Sequence, residues 1–101
     1  MATYEELFSL RNNSALKNRV TTAVVIAAET VMGEDSGTPN HANRLIWAKG
    51  VFSSPEREAE RMYWAVLAAN SGMPLGTILA ATDAAIQANV DEHIDLFADG
   101  S

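Results

Sequence analysis

The chain contains no cysteine, which excludes disulfide bonds, thiolate metal ligands and cysteine nucleophiles from its 101 residues. Proline is scarce, with three residues, and together with frequent alanine this scarcity favours packed helices over sheets. Basic side chains are also few, seven against thirteen acidic ones, so the formal net charge is −6. Nucleic-acid binding requires clustered Lys and Arg, and we therefore expect no sequence-specific nucleic-acid partner.

Long hydrophobic runs are absent as well. The longest apolar-rich stretch, residues 23–28, falls far short of the roughly 20 residues that span a bilayer. The first six residues lack the basic and apolar regions of a signal peptide. We therefore expect a soluble chain with no membrane partner. The apolar share of 48% is normal for a globular protein, and the length fits one helical domain over residues 1–101.

Hydrophobic periodicity predicts an all-α fold, a compact bundle of four to five helices joined by short loops. The predicted helices cover residues 4–11, 15–32, 40–52 and 55–70, a short turn at 77–81, and a final helix after Thr82. One longer Gly/Pro loop at residues 33–39 is expected to be exposed, and either mobile or ordered only against a neighbour. Residues 99–101 are expected to form a frayed tail.

Most of the serines, acidic residues and glycines that might have been catalytic are explained as residues that start or end a helix. Thr3 and Glu6 have capping-box spacing, and Pro55 followed by Glu56 is typical of a first helical turn. The other predicted caps are Ser14, Ser53 with Ser54, Thr82, and Gly72 as a left-handed C-terminal cap.

Apolar residues at three- and four-residue spacing predict which face of each helix is buried. The predicted inward residues are Leu16, Val20, Ala23, Val24, Ala27 and Val31 on the second helix, Leu45, Ala48 and Phe52 on the third, Ala59, Met62, Tyr63, Val66 and Ala69 on the fourth, and Ile86, Val90, Ile94 and Phe97 on the last. Val25 and Ile26 fall outside the stripe of the second helix. That helix is therefore either central in the bundle or partly turned toward a partner.

No arrangement of residues indicates catalysis, a cofactor or a metal. His93 lies among Asp91, Glu92 and Asp95, but adjacent helical residues point in different directions and cannot converge on one ion. His41, the other histidine, belongs to a separate helix. No serine sits in a glycine-flanked elbow, and the loop at 33–39 lacks the Lys-Ser/Thr ending of a phosphate loop. We expect a protein that is not an enzyme and holds no cofactor.

The more informative residues are apolar and lie off the predicted stripes. They are Trp47, Trp64, Ile26 and Ile46. For the two tryptophans, either a wider core covers them or one or both anchor a protein interface, where Trp is enriched. The excess of apolar residues over what one small bundle hides favours an oligomer or a larger assembly.

A family resemblance adds to this interpretation. It is carried by residues 43–48 (NRLIWA), 52–55 (FSSP), 64–70 (WAVLAAN) and 81–91 (ATDAAIQANVD), and it extends to residues 4–18. In these segments the sequence resembles small proteins of similar length encoded among the head and neck genes of tailed bacteriophages. The matching motifs are structural in character, so they imply ancestry and fold rather than a site.

The resemblance implies a structural protein of the virion, found in the host cytoplasm during assembly. Its expected role is a ring-forming head–tail connector or adaptor at the neck below the portal, and an acidic ring would reduce sticking of the exiting DNA. Expected partners are other copies of the chain and portal, capsid or tail-side phage proteins. A capsid decoration protein is the alternative within the virion, and a non-virion assembly or regulatory protein-binding module is the alternative of another class.

Overall fold

The computed structural model describes residues 2–98, apart from the side chain of Phe97. Within these residues the structure is helical and has no strand, which confirms the predicted all-α class. The helices are α1 Tyr4–Ser9, α2 Ser14–Met32, α3 His41–Ser53, α4 Pro55–Ala69, α5 Leu75–Leu79 and α6 Asp83–Ala98, and a 3-10 turn at Leu10–Asn12 follows α1. None of these helices is long and apolar enough to cross a membrane. The tail predicted at 99–101 and the inward position of Phe97 lie outside the described residues.

The centre of the bundle is α2, which contacts α3, α4 and α6. Its six predicted inward residues are all buried, and Ala28 joins them. A helix surrounded on three sides needs a wide apolar face, and the small side chains of Ala23, Ala27 and Ala28 let its neighbours approach closely. Of the two alternatives for α2, the structure therefore shows the central position.

Two of the predicted helix starts are confirmed in atomic detail. The Thr3 hydroxyl accepts a hydrogen bond from the backbone N–H of Glu6 at 3.2 Å, and the Glu6 carboxylate accepts from the Thr3 N–H at 3.1 Å. At the start of α6, the Thr82 hydroxyl accepts from the N–H of Ala85 at 3.1 Å. These bonds satisfy N–H groups that have no partner inside the helix.

The prediction that Ser14 caps α2 is wrong. The helix begins at Ser14 itself, and the side-chain oxygen of Asn13 accepts from the Leu16 N–H at 3.0 Å. Asn and Ser are almost equally good caps, so two adjacent candidates cannot be separated by residue type.

The predicted serine caps of α4 are also wrong. Ser54 does precede the helix, but its hydroxyl makes no capping bond. The Ser53 hydroxyl instead donates to the Lys49 carbonyl one turn back, at 3.0 Å. A hydroxyl that bonds its own helix in this way is no longer free to cap the next one.

Gly72 does not act as the predicted left-handed cap, since its φ lies outside that region. The helix ends earlier, at Ala69, with Asn70 as its cap residue. The left-handed residue of the described chain is Asn40, with φ 60°, directly before α3. Asparagine tolerates this conformation better than most side chains, and it reverses the chain at the end of the long loop.

The buried face of α3 differs from the prediction. Trp47, Ala48 and Val51 are buried, Leu45 is half-buried, and Phe52 is 49% exposed. On α4, Ala59, Met62, Tyr63 and Val66 are buried as predicted, but Leu67 takes the place of Ala69, which is exposed. The error on α3 is a rotation of the buried face by about one residue, whereas on α4 the predicted face is right except at its last position.

Residues 33–39 are mostly exposed, as predicted, but the loop is attached to its own chain. The Glu34 carboxylate lies 3.0 Å from the Arg44 guanidinium, which is also 3.6 Å from the Asp95 carboxylate. Arg44 thus connects the loop, α3 and α6.

Candidate protein interface

An open groove lies between α1 and α4. It has a volume of about 400 Å³ and is lined by Tyr4, Leu7, Phe8, Trp64, Leu67 and Ala68. We call it the aromatic groove. Tyr4 is 76% exposed, and Phe8 is also exposed. Large apolar surfaces that face solvent on a small domain are typical of protein-binding sites.

The rings in and beside the groove have fixed geometry. Tyr4 and Phe8 lie one turn apart on α1 and stack with their centroids 5.9 Å apart and an interplanar angle of 12°. Trp64 packs edge-on against the buried Tyr63, at 5.6 Å and 79°. Both are favourable aromatic arrangements, so the groove has its shape before any partner arrives.

The short helix α1 is held over α4 at both of its ends. Before it, the N–H of Ala2 donates to the Met73 carbonyl at 2.8 Å. After it, the buried hydroxyl of Tyr63 donates to the carbonyl of Leu10, and the Leu10 side chain is itself buried. An isolated helix of six residues is not stable in water. These tertiary contacts are what place Tyr4 and Phe8 opposite Trp64.

Arg11 contacts one ring of the aromatic groove, and two further arginines lie on α4. The Arg11 guanidinium lies 4.1 Å from the centre of the Phe8 ring, within cation–π range, and donates to the Phe8 carbonyl at 3.2 Å. On α4, Arg61 and Arg57 precede Trp64 by one and two turns; Arg61 is 3.4 Å from Glu58, and Arg57 forms no ion pair within the described residues. By this spacing Arg57 and Arg61 share a face of α4 with Trp64, and Glu60 on the same helix is also exposed.

The opposite charge is displayed on α6. We give the name acidic face to five of its solvent-exposed residues, Ala84, Ala88, Asp91, Glu92 and Asp95. Asp91 accepts from the Gln87 amide at 3.0 Å, and Asp95 is the more distant partner of Arg44. The remaining carboxylate, Glu92, has no ion pair among the described residues.

The four interface residues predicted from sequence do not form one site. Trp47 is only 7% exposed and belongs to the core, so for this residue the wider-core alternative holds. Trp64 is half-buried in the aromatic groove. Ile26 is 47% exposed beside a shallow pocket near Arg19, and Ile46 is 70% exposed on α3. No two of them line the same described pocket.

Sequence reasoning missed Tyr4 and Phe8. Their spacing of four residues, with Arg11 three residues further on, is visible in the sequence as a single helical face. That α1 packs beside Trp64, however, depends on the Tyr63–Leu10 contact across 53 residues.

The histidines show no metal-binding arrangement. The ring Nδ1 of His93 lies 2.7 Å from the Asn89 carbonyl, a partner on its own helix. His41 Nδ1, Glu34 Oε2 and Trp47 Nε1 are buried without hydrogen-bond partners among the described residues. Across residues 2–98 no three His, Cys, Asp or Glu side chains are grouped so that they could hold a metal ion.

Comparison with known proteins gives no family. No family model matches the chain, and no curated protein and no solved structure is significantly similar to it.

Proposed function

We propose that this chain is a structural assembly protein that binds other protein chains through the aromatic groove, and that it serves as a ring-forming head–tail connector or adaptor at the neck of a tailed-phage virion. The single observation that supports protein binding is the aromatic groove. The phage assignment is supported by the sequence resemblance alone.

A protein partner suits the groove better than a small molecule does. The groove is open along two helices, and its walls include exposed rings rather than an enclosed pocket. Tyr, Trp and Arg are the residues most enriched where binding energy concentrates in protein interfaces, and all three occur here. The stacked Tyr4–Phe8 pair loses little freedom on binding because α1 already fixes it.

Charge favours a second copy of the chain as one partner. The arginines on α4 and after α1 would attract the acidic face, which belongs to another helix, α6. A contact that joins two different surfaces is head-to-tail, and repeated head-to-tail contacts close into a ring when the rotation between copies permits. Ring formation is thus compatible with the groove and the acidic face acting together.

The first experiment measures the mass of the purified chain by analytical ultracentrifugation at several concentrations. We expect an oligomer whose population falls in Tyr4→Ser and Trp64→Ser while the helical circular dichroism is retained. Met32→Ser is the matched control, because Met32 is an exposed apolar residue outside the groove. A wild-type chain that stays monomeric, or groove variants that associate as well as the control, would contradict self-association through the groove.

A charge swap tests the head-to-tail arrangement separately. Arg57→Glu should weaken association, and Arg57→Glu combined with Asp91→Arg on the acidic face should restore part of it. If the second change weakens association further, the acidic face is not the surface that meets the groove.

The virion assignment needs its own measurement, which is quantitative mass spectrometry of purified phage particles. About a dozen copies per particle indicate a ring at the neck, and hundreds indicate a capsid decoration protein. Complete absence from the particle leaves the non-virion assembly module.

A further inference from the structure

A second apolar space lies inside the bundle. It is a cavity of about 260 Å³ between α2, α4, α5 and α6. We call it the apolar cavity. Its walls include Leu16, Val20, Tyr63, Leu67, Ile78 and Ile86, each at most 6% exposed. Leu67 lies between this cavity and the aromatic groove.

The burial of these walls restricts what can enter. A partner helix could not lie against side chains that the fold itself covers on all sides. Entry is possible where exposed residues complete the lining, at Met73, Thr77 and Ala85. This opening, beside the five-residue helix α5, suits a small molecule rather than a segment of protein.

The lining restricts the chemistry of an occupant as well. No charged side chain lines the cavity. The Tyr63 hydroxyl is already bonded to the Leu10 carbonyl, and the Asn70 amide donates to the Val66 carbonyl at 2.8 Å. The Asn89 amide donates to the Ala85 carbonyl at 3.4 Å. A charged occupant would therefore lose its hydration without compensation, whereas an uncharged apolar one would not.

The size is also informative. A dry apolar cavity of roughly 150 Å³ in another protein is enough to bind benzene. An unfilled apolar cavity destabilises a fold in proportion to its volume, because the side chains around it lose packing contacts. A 101-residue domain with a cavity of about 260 Å³ therefore gains stability from an occupant that fills it.

We propose that the apolar cavity is a binding site for a small uncharged apolar molecule, of the size of one or two aromatic rings or a short branched hydrocarbon. The side-chain oxygens of Asn70 and Asn89 accept no hydrogen bond among the described residues. They can accept a single N–H or O–H donor carried by the ligand. This site is independent of the protein-binding role proposed for the aromatic groove.

The test uses the full chain with methyl labels on Leu, Ile and Val, and three probes: toluene, indole and benzoate. Toluene and indole should shift the methyl signals of Leu16, Ile78 and Ile86, while exposed Ile46 should not move. They should also raise the melting temperature in proportion to the logarithm of probe concentration. Benzoate, which has a similar size but carries a charge, should do neither.

A matched pair of variants locates the site. Ala85 lines the cavity and Ala84 faces solvent in the same turn of α6. Ala85→Leu should weaken indole binding by about tenfold or more, since the added side chain occupies ligand volume, whereas Ala84→Leu should leave it unchanged. Ala81→Leu repeats the test from the α5–α6 connection in case Ala85→Leu disturbs the helix start.

Several results would overturn the proposal. If toluene and indole shift no methyl signal even at the limit of their solubility, no accessible site exists. Equal binding of benzoate would show that the chemical class is wrong. If indole dissociates an oligomer of the chain in step with cavity occupancy, the cavity receives a side chain of a neighbouring copy instead. A wild-type chain that binds indole but does not self-associate contradicts only the function proposed for the groove.

Discussion

The buried hydroxyl of Tyr63 donates a hydrogen bond to the backbone carbonyl of Leu10, and this contact joins the middle of α4 to the turn that follows α1. Tyr63 also packs edge-on against Trp64, so this one residue contacts both the turn that anchors the end of α1 and the indole of the groove. The aromatic groove is therefore a consequence of how Tyr63 is buried. Changes at Tyr63 should alter the groove without touching its exposed surface.

Tyr63→Phe keeps the ring and removes the hydroxyl, so the Leu10 carbonyl keeps only its hydrogen bond from the Asn13 N–H, at 2.9 Å. We expect the free energy of unfolding to fall by about 1–2 kcal/mol. Urea denaturation measures this loss, and hydrogen exchange should show faster exchange for the amides of α1. Tyr4→Phe is the control, because its exposed hydroxyl makes no hydrogen bond within the described residues, and its effect should stay below about 0.5 kcal/mol. Equal losses in the two variants would contradict the structural role of the Tyr63 hydroxyl.

Tyr63 should also make the fold sensitive to alkaline pH. Burial raises the pKa of Tyr63 above its ordinary value of 10.0, since the interior disfavours the phenolate. In the unfolded chain the phenol loses its proton near pH 10, while the folded chain retains it. The contribution of this group is therefore complete below about pH 10 and is lost as the pH rises further, toward the folded pKa.

The measurement is the difference in unfolding free energy between wild type and Tyr63→Phe, taken from pH 8 to pH 11. The difference should be constant up to about pH 9.5 and then shrink, because only the wild type has this group to ionise. A difference that stays constant across the whole range would mean that Tyr63 titrates equally in both states.

Much of the fold was predictable from sequence because α2 and α6 obey helical periodicity closely. Val20, Val24 and Val31 recur on one face of α2, and Ile86 and Ile94 do so on α6; all are buried. The hydroxyl caps at Thr3 and Thr82 were predictable because the partner N–H is local, three residues away. The confirmed predictions thus rest on strong periodicity or on a local cap, although the caps predicted at Ser14, Ser54 and Gly72 were wrong.

The sequence could not identify features that depend on which helices meet. Trp47 and Phe52 are both large and apolar, and only the packing of α3 against α2 and α6 decides that Trp47 is buried and Phe52 exposed. The aromatic groove and the apolar cavity likewise require the placement of two short helices, α1 and α5. Helices of five or six residues carry too little periodicity to show which face is inward.

Trp47 and Ile46 provide a direct test of that distinction, as adjacent residues on one helix with opposite environments. Trp47→Ser should reduce the free energy of unfolding by about 3–5 kcal/mol, because a core side chain is replaced by a cavity and a hydroxyl. Ile46→Ser should change it by less than about 0.5 kcal/mol, since Ile46 is 70% exposed. Thermal and urea unfolding of both variants would give the comparison. Similar losses would show that Ile46 is covered, as it would be in a stable oligomer.

Arg19 on α2 makes two contacts with the connection between α5 and α6. The two contacts differ in how much they contribute to stability. Its Nη2 donates to the Ala81 carbonyl at 2.6 Å, and its Nε donates to the Asp83 carboxylate at 2.8 Å. The Asp83 side chain is largely exposed, so water screens this ion pair and its contribution is at most about 1 kcal/mol. The carbonyl is part-buried, and a charged donor to such a group contributes about 1.5–3 kcal/mol.

Arg19→Met should therefore destabilise the fold by about 2 kcal/mol, whereas Asp83→Asn should cost at most about 1 kcal/mol. Urea unfolding in low and high salt separates the two contacts, because salt weakens the exposed ion pair and leaves the carbonyl bond almost unchanged. The loss in Arg19→Met should consequently persist in high salt. If the two substitutions cost the same and salt removes both effects, the ion pair rather than the carbonyl bond connects α2 to this end of α6. Ala81 also lines the apolar cavity, so loosening the connection in Arg19→Met should weaken indole binding there, and Asp83→Asn should not.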